Sequence, residues 1–129
     1  MDLKEFKFTE KHEWVKVDGD VAALGISDYA QKELGDVVYV ELPAIGDTVE
    51  QGDACSNIES VKAVSDIYCP VGGEIVEINE DLEDAPENIN KDPYGDGWIF
   101  KIKMGDPGQL NELMDAAAYE KYLEGIKED

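Results

Sequence analysis

The sequence predicts a mainly β fold with one short helix in its N-terminal third and two helices at its C-terminal end. Short runs in which apolar and polar residues alternate indicate strands with one buried face. Asp-Gly, Pro and Gly turns separate these runs. Two helix-start patterns, Asp106-Pro107 and Asp115, follow the last run. The 129 residues suffice for one domain with a single core.

The N-terminal part predicts three strands and a helix. Phe6-Lys7-Phe8 alternates, and residues 13–17 and 21–26 flank Asp18-Gly19-Asp20. Asp-Gly between such runs indicates a tight hairpin, because both residues tolerate positive φ. Ser27 then suits the N-cap of a short helix, and Gly35 suits its C-terminal cap.

The middle of the chain predicts two strand pairs on either side of a hairpin. Residues 36–42 form a strand ended by Pro43, and residues 54–58 and 64–68 flank the segment Glu59-Ser60-Val61-Lys62-Ala63. Further strands are predicted at 74–78 and 98–103, joined by an acidic loop, 79–97, with one helical turn near Pro86. Strand-turn-strand order therefore occurs on both sides of the hairpin, which is a weak internal repeat.

Charge and composition exclude several classes of function. The formal net charge is −20, with 31 acidic residues and 11 basic residues, all of them lysine. Such a surface repels phosphate backbones and anionic lipids, so we expect neither nucleic-acid nor membrane partners. The acidity either keeps the protein in solution or steers it toward a basic partner, and the sequence does not separate these interpretations. We see no apolar run of roughly 20 residues and no secretory or transit segment.

The two cysteines, Cys55 and Cys69, match no metal-ligand spacing, and we expect reduced thiols in a cytoplasmic protein. A two-residue turn at Val61-Lys62 pairs Ser60 with Ala63, so that partner numbers add to 123. Cys69 then lies opposite Ala54 and Cys55 opposite Tyr68. Because side chains alternate along strands, the two cysteines are predicted on opposite faces without a disulfide. The same register places Asp66 on the face of Lys62.

A lysine at a turn is either an ordinary solvated charge or a site that a modifying enzyme can reach. The flanking segments distinguish these interpretations: Gly46 to Asp53 lies upstream and Pro70-Val71-Gly72-Gly73-Glu74-Ile75 downstream. This order of turn, strand, lysine, strand and turn resembles a lipoyl or biotinyl carrier domain. Biotinyl domains usually have methionine on both sides of the lysine, so Val61 and Ala63 favour lipoate.

Further motifs narrow the resemblance. They are His12-Glu13-Trp14, Gly25-Ile26-Ser27, Leu34-Gly35-Asp36, the Lys62 segment, and Asn90 through Pro93-Tyr94 to Gly97-Trp98. In this order they resemble the H proteins of the glycine cleavage system. The resemblance implies a lipoyl-domain-like sandwich of two small antiparallel sheets, a barrel-sandwich hybrid. It also implies one lipoyl-carrier domain over 1–129, with a core at about 7–104 and C-terminal helices at about 106–124.

The resemblance also implies a function. Lipoate would be attached to Lys62, and Glu59, Ser60, Val61 and Ala63 would form the recognised hairpin. The arm would carry an aminomethyl group from glycine decarboxylase (P protein) to the aminomethyltransferase (T protein), and electrons to dihydrolipoyl dehydrogenase (L protein). A lipoate ligase or an octanoyl or lipoyl transferase would load it, and a monomer is expected.

The arm's ammonium needs carboxylate or carbonyl acceptors, and motif position makes Glu13 and Asp66 the candidates. Each could instead be an ordinary acidic residue in a chain rich in acids. One histidine, His12, and the lack of a phosphate-binding motif argue for a carrier rather than an enzyme, with no metal site. Two alternatives stay open: an H-like protein that relays lipoyl or octanoyl groups, and an unmodified acidic interaction domain.

Overall fold

The structure, a computed structural model, describes residues 5–127. Residues 1–4 and 128–129 of the predicted domain lie outside the described residues. The strands are β1 (Phe6–Phe8), β2 (Glu13–Asp18), β3 (Val21–Ile26), β4 (Val37–Glu41), β5 (Thr48–Val49), β6 (Ala54–Ser60), β7 (Val64–Tyr68), β8 (Gly73–Ile78) and β9 (Phe100–Met104). The helices are α1 (Asp28–Leu34), α2 (Asp81–Asp84), α3 (Asn88–Lys91), a 3₁₀ helix (Pro107–Glu112) and α4 (Ala116–Lys127).

The strands form two antiparallel sheets, which confirms the predicted fold class. The larger sheet has the order β1-β2-β3-β9-β8-β5, and the smaller sheet has the order β4-β6-β7. The weak internal repeat corresponds to two antiparallel pairs, β4 with β6 and β8 with β9. The smaller sheet contains the Lys62 hairpin.

The main core lies between the two sheets. Leu24 and Ile102 of the larger sheet and Ile58 of the smaller sheet are fully buried in one hydrophobic cluster. A second cluster joins Phe8 and Trp14 to Tyr119 of α4. Burial of such side chains supplies most of the stabilisation, at about 1.5–3 kcal/mol each. The second cluster attaches the C-terminal helix to the first hairpin.

Helix α1 has the predicted caps. The Ser27 hydroxyl accepts a hydrogen bond from the Ala30 N–H at 3.2 Å, and the Gly35 N–H donates to the Gln31 carbonyl at 3.0 Å. Gly35 has φ +78°, which a residue with a Cβ adopts only with strain. The helix therefore ends where the sequence indicates, directly before the smaller sheet.

Two segments differ from expectation in detail. The acidic loop holds two short helices, α2 and α3, where one helical turn was predicted; each buries one apolar side chain, Leu82 and Ile89. The helix opened by Asp106-Pro107 is a 3₁₀ helix rather than an α-helix. Leu110 packs against the main core but is only partly buried, and no residue of the helix is fully buried, so packing does little to stabilise a longer α-helix there. Within residues 5–127, no helix is long and apolar enough to span a bilayer.

The prediction that Cys55 and Cys69 stay unbonded is wrong, because the structure joins them in a disulfide. The predicted register holds from Glu59 opposite Val64 to Ser56 opposite Ile67. It then shifts at Cys55, because Ala54 lies opposite Tyr68. A bulge adds an unpaired residue and interrupts the alternation of faces, so Cys55 can reach Cys69. The expectation of reduced thiols is therefore wrong as well. Asp66 lies on the regular side of the bulge, so the prediction that it shares a face with Lys62 is not affected.

Candidate functional site

The turn of the Lys62 hairpin is held by Ser60. The Ser60 N–H donates to the Ala63 carbonyl at 2.8 Å, and the Ser60 Oγ accepts from the Lys62 and Ala63 N–H groups at 3.2 and 3.1 Å. Among the described residues other than glycine, only His12 has a positive φ. Val61 and Lys62 are thus the central residues of the predicted two-residue turn, but without the positive φ values of a mirror-image turn. The Ser60 hydroxyl fixes the turn and leaves the Lys62 side chain free to project from it.

Lys62 is exposed, and within residues 5–127 its ammonium makes no hydrogen bond or ion pair. Its stem passes over Gly35, where an added Cβ would lie 3.2 Å from Lys62 Cε. The Val61 N–H also donates to the Asp36 carbonyl at 3.0 Å. The end of α1 therefore supports the base of the hairpin tip, while the amine remains accessible.

Asn90 of α3 makes side-chain hydrogen bonds to both segments that support the hairpin. Its Oδ1 accepts from the Val37 N–H at 2.9 Å, and its Nδ2 donates to the Gly35 carbonyl at 2.9 Å and to Gln31 Oε1 at 3.0 Å. One amide thus joins the C-terminal end of α1 to the start of β4.

A cavity of about 320 Å³ adjoins the same helix end. Asp66, the predicted site residue, is one of its lining residues. The cavity is lined by Lys11, His12, Ile26, Tyr29, Ala30, Glu33, Leu34, Ser65, Asp66 and Ile67. Leu34, one of the lining residues, directly precedes Gly35, over which the Lys62 stem passes. Two carboxylates, of Asp66 and Glu33, and one ammonium, of Lys11, line it, so the carboxylates can accept hydrogen bonds from a cation there.

Glu13 occupies a different environment from Asp66. Its side chain is 2% exposed, its Oε1 accepts from Thr9 Oγ1 at 2.7 Å, and its Oε2 accepts from the Tyr68 N–H at 2.9 Å. Burial raises the pKa of the Glu13 carboxyl, against the lowering effect of these hydrogen bonds. Glu13 lines a separate cavity of about 310 Å³, and Lys11 lines both cavities. The structure therefore does not bring the two predicted carboxylates into one cavity.

A chain of side-chain hydrogen bonds connects the cavity to α4. His12 Nδ1 lies 2.8 Å from the Tyr119 hydroxyl, which lies 2.7 Å from the Ser27 hydroxyl at the start of α1. The His12 ring also packs on the Tyr29 ring at 4.7 Å between centroids. Burial lowers the pKa of His12, although Glu33 opposes this by raising it. The neutral imidazole is thus favoured at the wall of the cavity.

Sequence reasoning missed Glu33 and did not assign a role to Asn90. Glu33 lies four positions after Tyr29 on α1, and that spacing places both side chains on one face of the helix. Both residues line the same cavity as His12, and the spacing could have indicated this shared site. For Asn90, the surrounding loop shows no periodicity from which its three partners could be inferred.

An exposed turn lysine between two β-strands, on the smaller of two packed antiparallel sheets, defines the class of lipoyl and biotinyl carrier domains. The sequence profile of one family, described as Glycine cleavage H-protein, matches residues 6–126. The chain belongs to this family.

Relatives agree over nearly the whole chain. A glycine cleavage system H protein of Thermus thermophilus is 56% identical over 125 residues, which cover 96% of this chain and 98% of that protein. One from Parvibaculum lavamentivorans is 48% identical over 97% of this chain and 100% of its own. The crystal structure of a Mycobacterium marinum glycine cleavage system H protein has a TM-score of 0.82 at 38% identity, covering 90% of this chain and 94% of that one.

Family membership establishes the general function. The chain is a lipoyl carrier of the glycine cleavage system, with lipoate covalently attached to a lysine. It works with the P, T and L proteins of that system. The alternatives, a lipoyl or octanoyl relay and an unmodified acidic domain, are not favoured.

Proposed function

We propose that Lys62 is the lysine that bears lipoate. The observation that carries this proposal is a turn held by Ser60, from which the exposed ammonium projects without a partner in the described chain. An amide at this nitrogen would displace no contact of the fold, so the residues present fit the group. By contrast, Lys32 makes an ion pair with Asp28, and Lys101 makes one with Glu77.

Lipoate, when bound, supplies a disulfide that accepts the aminomethyl group and two electrons. The protein supplies position. The hairpin holds the attachment point away from the core, so that a flexible tether raises the effective concentration of the reactive group at successive enzymes. We infer that the chain is a carrier and substrate of those enzymes and is not itself an enzyme.

We propose that the loaded arm folds back into the cavity beside α1, where Asp66 accepts hydrogen bonds from its ammonium. Asp66 is exposed, lies on the regular part of β7 and lines the cavity at the C-terminal end of α1. Glu13 is the second candidate, for an arm that folds into the separate cavity that Glu13 lines. A carboxylate has about four lone-pair sites, and the two hydrogen bonds that Glu13 accepts leave acceptor capacity for the ammonium.

We further propose that Glu59, Ser60, Val61 and Ala63 form the segment that a lipoate ligase, or an octanoyl or lipoyl transferase, recognises around Lys62. In this proposal the protein is one domain that acts as a monomer in the cytoplasm. The Cys55–Cys69 bond gives no support to that compartment, which is generally reducing. The cytoplasmic proposal rests instead on the partners.

The test is Lys62→Arg, which keeps the charge but cannot form the amide. We expect no lipoate in the intact-mass spectrum after incubation with a lipoate ligase, ATP and lipoate, and an unchanged thermal midpoint. Lys91→Arg changes another exposed lysine in the same way and should be fully lipoylated. Lipoate found at any other lysine of Lys62→Arg would refute the assignment.

A further inference from the structure

The disulfide joins two cysteines that differ in their access to solvent. Cys55 lies at the bulge in β6, and Cys69 directly follows β7. Cys69 is buried, at 1% exposure, whereas Cys55 is partly exposed. A thiolate from another molecule therefore reaches the bond more readily at the Cys55 sulfur.

A cavity of about 430 Å³ lies at Cys55. The end of β4, strand β5 and the first half of β6 form its walls, and Cys55 is one of its lining residues. Cys69 does not line this cavity and lies instead at the cavity that Glu13 lines. The larger cavity thus gives a small reductant room beside the more accessible of the two sulfur atoms.

The charges that line this cavity are negative. Glu41, Asp47 and Asp66 line it, and all three are exposed. Within residues 5–127, no lysine lines it. Asn57 donates a hydrogen bond to Glu41 but is neutral, so it leaves the charge in place. Such a cavity repels an anionic reductant and admits a neutral one.

We propose that Cys55–Cys69 is a redox-active site, which neutral dihydrolipoyl amides reduce through the cavity lined by these carboxylates. The chemistry of the family supplies a dithiol of this class, because lipoate is attached to a lysine through an amide and returns from the enzymes as a dithiol. In a reducing compartment, the disulfides that do form are usually catalytic or redox-sensing. The bond then reports how much of the lipoyl pool is reduced.

The reductant belongs to another molecule. The extended chain from Lys62 to Cys69 spans roughly 23 Å, which is more than a lipoyl-lysine side chain extends. An arm on Lys62, the proposed attachment site, therefore does not reach the bond of its own chain. The proposal for the bond itself does not depend on which lysine bears lipoate.

The chemical step is an exchange between a dithiol and a disulfide. A dihydrolipoyl thiolate attacks the Cys55 sulfur, the bond to Cys69 breaks, and Cys69 leaves with the bonding electron pair and takes the proton of the second dihydrolipoyl thiol. That second sulfur then attacks the first, which closes the lipoyl ring and releases Cys55 as a thiolate. Cys55 takes a proton from solvent, in place of the one that the attacking thiol lost. Two electrons and two protons thus pass from the dithiol to the protein.

The experiment compares two reductants that differ by one charge. Dihydrolipoamide is neutral and dihydrolipoate carries a carboxylate, while their two thiols are the same. Folded, full-length protein is treated with each in low salt, the reaction is stopped with iodoacetamide, and peptide masses count the alkylated Cys55 and Cys69. We expect dihydrolipoamide to reduce the bond roughly tenfold faster. The ratio of the two rates should fall to about twofold at about 1 M salt, where the charges are screened.

Matched double variants test whether the cavity causes this ratio. Glu41→Gln combined with Asp47→Asn removes two carboxylates of the cavity and leaves Asp66. Glu83→Gln combined with Asp84→Asn removes the same number of charges from exposed residues of α2 that do not line it. We expect the ratio to fall to about threefold in the first variant and to keep its wild-type value in the second. Asp47→Asn alone serves if the first variant unfolds early.

The results that would overturn the inference are specific. Free thiols at Cys55 and Cys69 before treatment would remove the site. A bond that dihydrolipoamide opens only after the protein unfolds in urea would be a structural cross-link. Equal rates for the two reductants, or equal falls of the ratio in both double variants, would exclude approach through the cavity. None of these measurements involves Lys62, so each leaves the proposed lipoate site unaffected.

Discussion

Asn90 has more influence on the carrier hairpin than its position in the short helix α3 suggests, and Asn90→Ala tests this. The side-chain amide makes three hydrogen bonds, to Val37, Gly35 and Gln31. Gly35 lies under the Lys62 stem. Removing the amide therefore releases the end of α1 from the start of β4 at the point where both support the hairpin.

The expected destabilisation follows from these contacts. Each lost hydrogen bond costs about 0.5–1.5 kcal/mol, and a buried N–H left without a partner costs about 1–3 kcal/mol. Val37 is 4% exposed, so its N–H has little access to water in place of the Asn90 oxygen. The three bonds share one side chain and are not additive, and we expect a total loss of about 2–4 kcal/mol. The thermal midpoint should fall by roughly 10 °C.

Urea unfolding followed by circular dichroism measures the loss, and Asn111→Ala provides the matched control. Asn111 is exposed, and the same truncation there should change the unfolding free energy by less than about 0.5 kcal/mol. The KM for lipoylation of Asn90→Ala should also rise, because the turn is less well positioned. Equal midpoints for Asn90→Ala and Asn111→Ala would refute the reasoning.

Three further predictions concern the disulfide, pH and the arm. Reduction of Cys55–Cys69, 14 residues apart, should lower the unfolding free energy by about 3 kcal/mol; two free thiols in unreduced, denatured protein would contradict the bond. Because burial lowers the pKa of His12 below 6.5, the unfolded chain binds a proton that the folded chain does not, so the unfolding free energy falls as pH drops from 6.5 toward the lower pKa of the folded state. Unfolding free energies at pH 7.5 and 5.5 should fall more in wild type than in His12→Asn, and equal falls would exclude His12. Glu13→Gln should leave lipoylation normal but speed formaldehyde and ammonia release from loaded carrier, and an unchanged rate would remove Glu13 from the arm site.

The regular parts of the fold follow from local patterns. Asp18-Gly19 places the first hairpin, and Ser27 and Gly35 bound α1, because caps and positive φ are properties of single residues. The register next to Lys62 also follows, since a two-residue turn fixes its flanking pairs. The resemblance added the two-sheet arrangement, which no single segment specifies.

The remaining features depend on contacts between distant segments. The bulge at Cys55 has no local sequence marker, and without it the alternation argument correctly separates the cysteines. Glu13 accepts a hydrogen bond from the N–H of Tyr68, 55 positions away, so its position outside the Asp66 cavity could not be foreseen. The exposed turn position of Lys62 was predictable because a hairpin tip needs only local information, whereas its assignment as the lipoate site came from the resemblance and stays a prediction.

The hydrogen-bond chain between His12, Tyr119 and Ser27 has a direction. With His12 Nδ1 unprotonated, Tyr119 donates to it and Ser27 donates to Tyr119, while Ser27 accepts from the Ala30 N–H. A proton on Nδ1 reverses the order, and both hydroxyl groups must rotate. No heavy atom has to move. The orientation of two hydroxyl hydrogens, between the start of α1 and one wall of the cavity, therefore depends on whether His12 Nδ1 carries a proton.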